Sequence, residues 1–251
     1  MGKKYANPPI VEAACEVRLT LESSGENSKW DPVVPGLVYE KVKGEFPVRK
    51  RGYIQEIALS PEEESPKVQK SEVAVFSTED KSASIRIWLE TPRFSVSRLK
   101  PYQSWGEFKP RIKTVLDAVT QVVEVKSVSE IILRYLNRIE VPKKPVEVEE
   151  YFEFNPSLGK RLPQNKSDFI VGCIFPFEAG RDLCKVQLTN GYSEREDISA
   201  FILGIDYMLV KPEQVSWSSR LEWIENAHQK IEEIFEGCIT DKARELFEGV
   251  K

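Results

Sequence analysis

The sequence is short of the residues from which most catalytic and metal sites are built. It holds one histidine, His228, and four cysteines, Cys15, Cys173, Cys184 and Cys238, none in Cys-x-x-Cys spacing. A zinc site takes about four nitrogen, sulfur or carboxylate ligands, usually histidine and cysteine, so no metal is expected. The cysteines read as buried free thiols instead. There is no Gly-x-Ser-x-Gly elbow and no protease-type cysteine signature. Ser157-Leu158-Gly159-Lys160 carries a Gly-Lys pair, but without the earlier glycine or the following hydroxyl of a phosphate loop. No catalytic residue and no cofactor is therefore expected, which points away from an enzyme without deciding the question.

Long apolar runs are missing too. No stretch reaches the roughly 18 residues of a membrane helix. The opening Met1-Gly2-Lys3-Lys4-Tyr5 has no apolar stretch behind its lysines, and Ala6 stands where N-myristoylation wants Ser or Thr. A cytoplasmic protein without a membrane partner is the expectation. Cations are not in excess: 36 Lys and Arg against 40 Asp and Glu give a net charge of −4. A strongly basic nucleic-acid-binding domain is thus not the default. With 41% hydrophobic and 30% charged residues, the 251-residue chain has ordinary globular composition.

Strand signals dominate. After Asn7-Pro8-Pro9, the run Ile10–Leu21 ends in alternation, with Cys15, Val17, Leu19 and Leu21 set against Glu16, Arg18 and Thr20. A polar loop follows over 23–29, and Pro35-Gly36 opens a short helix. Tyr53–Leu59, Val73–Phe76, Ser84–Glu90 and Arg93–Leu99 read as extended, with an acidic loop at Pro61–Glu64. Ser104 and Glu107 form a capping-box pattern. Behind it Trp105, Phe108, Ile112, Leu116, Val119 and Val123 make one apolar stripe, with Pro110 near its start. Glu130–Val141 is a further strand, followed by a turn at 142–145 and a short helix over Val146–Phe152. Strands are expected at Asp168–Phe175, Leu183–Leu188 and Ala200–Val210, separated by turn signals at Gly180 and Asn190-Gly191. A second long helix runs from Ser216 to Gly237, and a short one follows Thr240 as its N-cap.

The two long helices are introduced by similar words. Lys100-Pro101-Tyr102-Gln103-Ser104-Trp105 precedes the first and Lys211-Pro212-Glu213-Gln214-Val215-Ser216-Trp217 the second. Ile112, Leu116, Val119 and Val123 then align with Ile224, His228, Ile231 and Phe235. This predicts an α+β protein of two similar halves, 1–126 and 127–251, in one pseudo-symmetric unit. Each half would be an antiparallel sheet covered by a long helix, a β-α-β3/4-α repeat with the element order of TATA-box-binding-protein-like or helix-grip folds.

Three segments taken together carry a resemblance. They are Tyr5-Ala6-Asn7-Pro8-Pro9-Ile10-Val11-Glu12-Ala13, Arg134-Tyr135-Leu136-Asn137-Arg138-Ile139, and His228 with Ile231, Phe235 and Ile239-Thr240-Asp241-Lys242-Ala243-Arg244. In this order they resemble a sporadically distributed family of uncharacterised prokaryotic proteins of about 250 residues. The likeness spans the whole chain, departing at Ala14-Cys15, where larger apolar residues are the family pattern. The family has no assigned activity, so the resemblance implies no site to carry over. Its scattered distribution is that of mobile or defence-linked genes.

Two constellations stand out. His228 interrupts the stripe Trp217, Leu221, Ile224, Ile231, Phe235, Cys238. A polar ring on such a seam needs a hydrogen-bond partner, either to lock the helix onto the sheet or to act as an acid or base. The second is the polar sheet face. If Ile85, Ile87 and Leu89 face the helices, Arg86 and Trp88 face away, as do Arg18, Arg134, Arg138 and Lys185 in their strands. Glu16, Glu90, Glu140 and Asp206 are placed to neutralise them in cross-strand pairs. Left free, the same residues would form a platform on which guanidinium forks hold phosphate and an indole stacks a base. Two functions follow. One is a non-enzymatic binding or regulatory protein contacting a protein partner or a nucleic acid through the arginine-bearing face. The alternative is a small-ligand binder or enzyme with a pocket between sheet and helix near His228. Oligomeric state is not legible.

Overall fold

The computed structural model describes residues 5–21, 30–58, 67–142, 145–163 and 168–248. The loop expected at 23–29, the acidic loop at Pro61–Glu64 and the middle of the 142–145 turn lie outside the described residues. The described residues form nine strands: β1 (Ile10–Leu21), β2 (Val48–Ala58), β3 (Lys67–Ser77), β4 (Ala83–Trp88), β5 (Arg93–Leu99), β6 (Val125–Val141), β7 (Ile170–Phe177), β8 (Asp182–Gly191) and β9 (Ser199–Leu209). The α-helices are α1 (Val34–Val42), α2 (Trp105–Thr120), α3 (Arg220–Cys238) and α4 (Asp241–Glu245). The strands hydrogen-bond in one nine-stranded sheet, in the order β2-β3-β4-β5-β1-β6-β9-β8-β7.

This corrects the expected fold. The chain is not two similar halves, each a sheet under its own long helix, and an internal duplication is not supported. The elements do not repeat. Among the described residues four strands, β2 to β5, follow α1, but three, β7 to β9, follow β6. No counterpart of α1 forms in Val146–Phe152, where one 3-10 turn spans Val148–Glu150. The shared Ser-Trp words also differ in conformation. Trp105 opens α2 directly, whereas Trp217 lies in a 3-10 turn over 217–219 and α3 begins at Arg220.

The chain divides into two compact units. One comprises Ala14–Leu99 and Gln103–Ile131; the other comprises Met1–Ala13, Lys100–Tyr102 and Ile132–Lys251. In the first, β4 has Ile85 and Ile87 on one face as expected, fully buried and paired with Val96 and Phe94 of β5, but exposure does not alternate, because Ser84 and Trp88 on the other face are buried too. The α2 stripe Phe108, Ile112, Leu116 and Val119 is buried, as are Val38 and Val42 of α1. Pro110 is accommodated inside α2, four residues after Gly106, whose carbonyl loses its intrahelical donor. Ser104 is the N-cap of α2, but its side chain makes no capping bond, so the capping box is not formed.

In the second unit, Leu133, Tyr135, Ile139 and Val141 of β6 are buried, with Cys184, Val186 and Leu188 of β8 and Leu203, Ile205 and Tyr207 of β9. The stripe Trp223, Ile224, Ala227, His228 and Ile231 buries α3. Asp182, 1% exposed, accepts from Trp223 Nε1 (3.0 Å), Tyr207 Oη (3.3 Å) and the Arg181 guanidinium (2.6 and 3.1 Å). One carboxylate thus ties α3 to β8 and β9. Thr240 caps α4 as expected, accepting from Ala243 N at 3.3 Å. Among the described residues no helix is long and apolar enough to cross a membrane.

Candidate functional site

Side chains alternate across a strand, so each unit's sheet has a helix-covered face and an opposite one. In the second unit the opposite face carries Arg134, Leu136, Arg138 and Glu140 from β6. Beside them are Ile202, Gly204, Asp206 and Met208 from β9, and Leu183, Lys185 and Gln187 from β8. Register places Leu183 against Met208, Lys185 against Asp206 and Gln187 against Gly204. Arg134 and Lys185 are exposed, while Leu136, Leu183, Ile202 and Met208 are half-buried.

The two arginines of this face are engaged. Arg134 donates from Nε (2.6 Å) and a terminal nitrogen (2.8 Å) to the two oxygens of Asp206, a two-pronged pair. Arg138 donates to Glu140 at 2.9 Å and to the Tyr192 carbonyl at 2.7 Å. Lys185 has Asp206 as its register neighbour. Each guanidinium is therefore held in one orientation by a carboxylate of the chain itself.

In the first unit Arg18 is exposed on β1 and Arg86 is half-buried on β4, opposite Val75 and Ser95. Trp88 is only 4% exposed and packs with Val73 and Val75. Arg93 lies over its ring at 4.2 Å and bonds Glu16 at 2.6 Å. The indole is thus covered on one side by a guanidinium and sealed among valines. Its Nε1 has no hydrogen-bond partner among the described residues.

His228 is buried within a run of polar groups. Its Nδ1 lies 3.2 Å from Tyr135 Oη, which lies 2.9 Å from Tyr102 Oη. Its Nε2 is 3.4 Å from Glu232 one helical turn on. Burial pushes the Tyr102 phenol up to about 12, so it stays protonated at any ordinary pH. Both ring nitrogens face groups of the protein itself, joining α3 to β6. The structure does hold a cleft of about 450 Å³, lined by Pro35, Tyr39, Arg49 and neighbouring residues of α1, β2 and β3; His228 does not line it. Among the described residues no group of three or more metal-ligating side chains is gathered. Cys15, Cys184 and Cys238 are buried free thiols; Cys173 is free and exposed.

One feature escaped the sequence reading. The run Phe169-Ile170-Val171-Gly172-Cys173-Ile174-Phe175 has the apolar content of a fully buried strand. Yet β7 is the last strand of the sheet order and is exposed along most of its length: Ile170 at 74%, Ile174 at 59% and Phe175 at 41%. Ile170, Gly172, Ile174 and Pro176 pair with Thr189, Gln187, Lys185 and Leu183, and so share the face of Lys185 and Leu183. Pro176 has no N–H to give to β8. An antiparallel strand points its polar groups alternately toward and away from its neighbour, so Pro176 belongs to the outward set with Ile170, Gly172 and Ile174. The only available signals were Pro176 and the absence of alternation.

No protein-family model matches the chain, and no curated protein matches it. Among solved structures it is similar to the di-domain ARO/CYC StfQ from the steffimycin biosynthetic pathway. The identity is 9%, with 95% of this chain and 98% of that chain covered, and the TM-score is 0.22. A likeness of that strength says nothing about function.

Proposed function

We propose that this chain is a non-enzymatic binding protein that takes an extended segment of a partner protein along β7 and the adjoining sheet face. The observation that carries this reading is the edge strand itself: eight residues, Ile170–Phe177, without one charge and with two isoleucines and a phenylalanine in solvent. Proteins usually protect such an edge with charged residues, a bulge or a cover, because it templates further strand pairing. An extended partner would meet the outward N–H and C=O groups of Ile170, Gly172 and Ile174, while its side chains pack on Ile174, Leu183 and Met208. The paired arginines suit this role. Arg134 and Arg138 already have carboxylates, so covering them leaves no charge uncompensated, whereas phosphate would have to displace Asp206 and Glu140.

The test is affinity purification of tagged protein from its native host, with and without nuclease, beside two variants. Ile174→Lys places a charge on the edge and Arg134→Ala removes a phosphate-capable cation. The reading expects a stoichiometric protein that survives nuclease, is lost with Ile174→Lys and persists with Arg134→Ala. Binding of the purified pair should then protect Cys173, exposed on β7, from maleimide. Recovery of nucleic acid that vanishes in Arg134→Ala would overturn it. So would concentration-dependent self-association abolished by Ile174→Lys, which would make the occupant a second copy.

A further inference from the structure

We infer that the cleft between α1 and the β2–β3 pair is a binding site for a nucleotide-sized phosphorylated small molecule. It is separate from the partner-docking surface. The cleft measures about 450 Å³, within the range of small-ligand sites. Its lining is unusual for a chain of net charge −4. Three consecutive residues of β2, Arg49, Lys50 and Arg51, line it beside one acid, Glu40, and alternation along the strand places the side chains of the two arginines on the same face. That acid is already claimed, since Lys43, the C-cap of α1, donates to it at 2.6 Å. Arg49 and Arg51 are two apart on β2 and share a face, where they pair with Phe76 and Ala74 of β3, both lining residues. The Arg49 guanidinium lies 5.4 Å from the centre of the Tyr39 ring, which orients its donors. Arg51 is 3.4 Å from Glu72 and about four-fifths exposed, so it remains accessible to an anion.

The apolar part of the cleft selects within anions. Tyr39 and Phe76 stand 5.1 Å apart, and Pro35 and Ala74 complete an apolar wall. Phosphate alone needs only the cations; a ligand with a planar ring also uses this wall. Gly36, exposed on α1, is among the lining residues, and a Cβ built there meets nothing within 4 Å. A larger side chain at this lining position therefore adds bulk beside the cleft without a clash at its Cβ.

The experiment is calorimetric titration of the full chain at low salt with ATP, inorganic pyrophosphate, adenosine and a 12-nucleotide single strand. The expected result is binding of ATP, weaker binding of pyrophosphate and none of adenosine. Arg49→Gln, which removes the cation, and Gly36→Phe, which adds bulk beside the cleft, should each weaken ATP at least tenfold. Lys126→Gln, an exposed cation outside the cleft, should leave it unchanged and controls for net charge. Higher salt should weaken binding, as for any exposed ion contact. The inference is overturned if neither ATP nor pyrophosphate binds at millimolar concentration. It is equally overturned if ATP binding survives both cleft variants, or if the single strand binds far more tightly than ATP and loses affinity as it is shortened.

Discussion

At the scale of single residues, Asp182 carries more of the structure than its place at a strand start suggests. Its carboxylate is 1% exposed and receives the indole N–H of Trp223, the phenol of Tyr207 and the guanidinium of Arg181. Burial, with Asp182 beside it, pushes the Tyr207 phenol well above its ordinary value, so it remains a donor. Asp182→Ala would strand two buried donors and leave Arg181 to water. Breaking such a network costs about 3 kcal/mol. For a chain of this length that is roughly 6–12 °C in melting temperature. Thermal denaturation followed by tryptophan fluorescence checks it. A loss within about 1 °C would mean that solvent reaches these groups and that the contact holds little. By contrast Arg134→Ala, at a half-exposed pair, should cost under about 1 kcal/mol. That difference lets Arg134 probe binding without disturbing the fold.

At the scale of elements, β7 is where exposure and composition conflict, and a thiol reports on it directly. Cys173 is exposed while Cys15, Cys184 and Cys238 are buried, and burial pushes each of those three thiols up to about 12. Native protein at pH 8 should therefore consume one equivalent of a thiol reagent rapidly, and four in denaturant. A Cys173→Ser variant should consume none while folded. Rapid reaction of a second thiol would show that β1, β8 or the end of α3 opens more readily than its burial implies. The same strand shows what a sequence can and cannot say. Alternation over 85–89 led directly to β4, the Arg93–Leu99 boundaries agree with β5, and the apolar spacing of 105–123 and 216–238 led to α2 and α3. These patterns record a contrast between two environments. The contiguous run of β7 has no such contrast, and position in the sheet order, which decides exposure, is set by distant pairings. Trp88 is the converse case. Its outward register was legible, but the covering by Arg93 depends on Glu16, 77 residues away, holding that guanidinium in place. The expected duplication had the same weakness: a short shared phrase fixes a helix start, not the number of strands that precede it.

At the scale of the whole molecule, the buried protons decide the alkaline limit. Cys15, Cys184, Cys238 and Tyr102 all keep their protons in the folded chain to about pH 12, because burial disfavours the charged form. Unfolded, the thiols ionise near 9 and the phenol near 10. Between those values and 12 the unfolded chain therefore binds fewer protons than the native one, and stability falls as pH rises. The contribution is fully present below about pH 9 and disappears through the window up to 12. The paired lysines Lys43 and Lys242 act with the same sign, since hydrogen bonds to Glu40 and Glu150 hold their protons more tightly in the fold. Urea unfolding at pH 8 and pH 10.5 should show a lower midpoint at the higher pH, with an unchanged slope. Replacing Cys184 and Cys238 by alanine should lower stability at pH 8 through lost packing, yet shrink the difference between the two pH values. An equal midpoint at both pH values would mean that these thiols ionise without unfolding the chain, and that water enters the second unit's core far more easily than its packing suggests. An undiminished difference in the variant would shift the alkaline limit from the thiols to Tyr102 and the surface lysines.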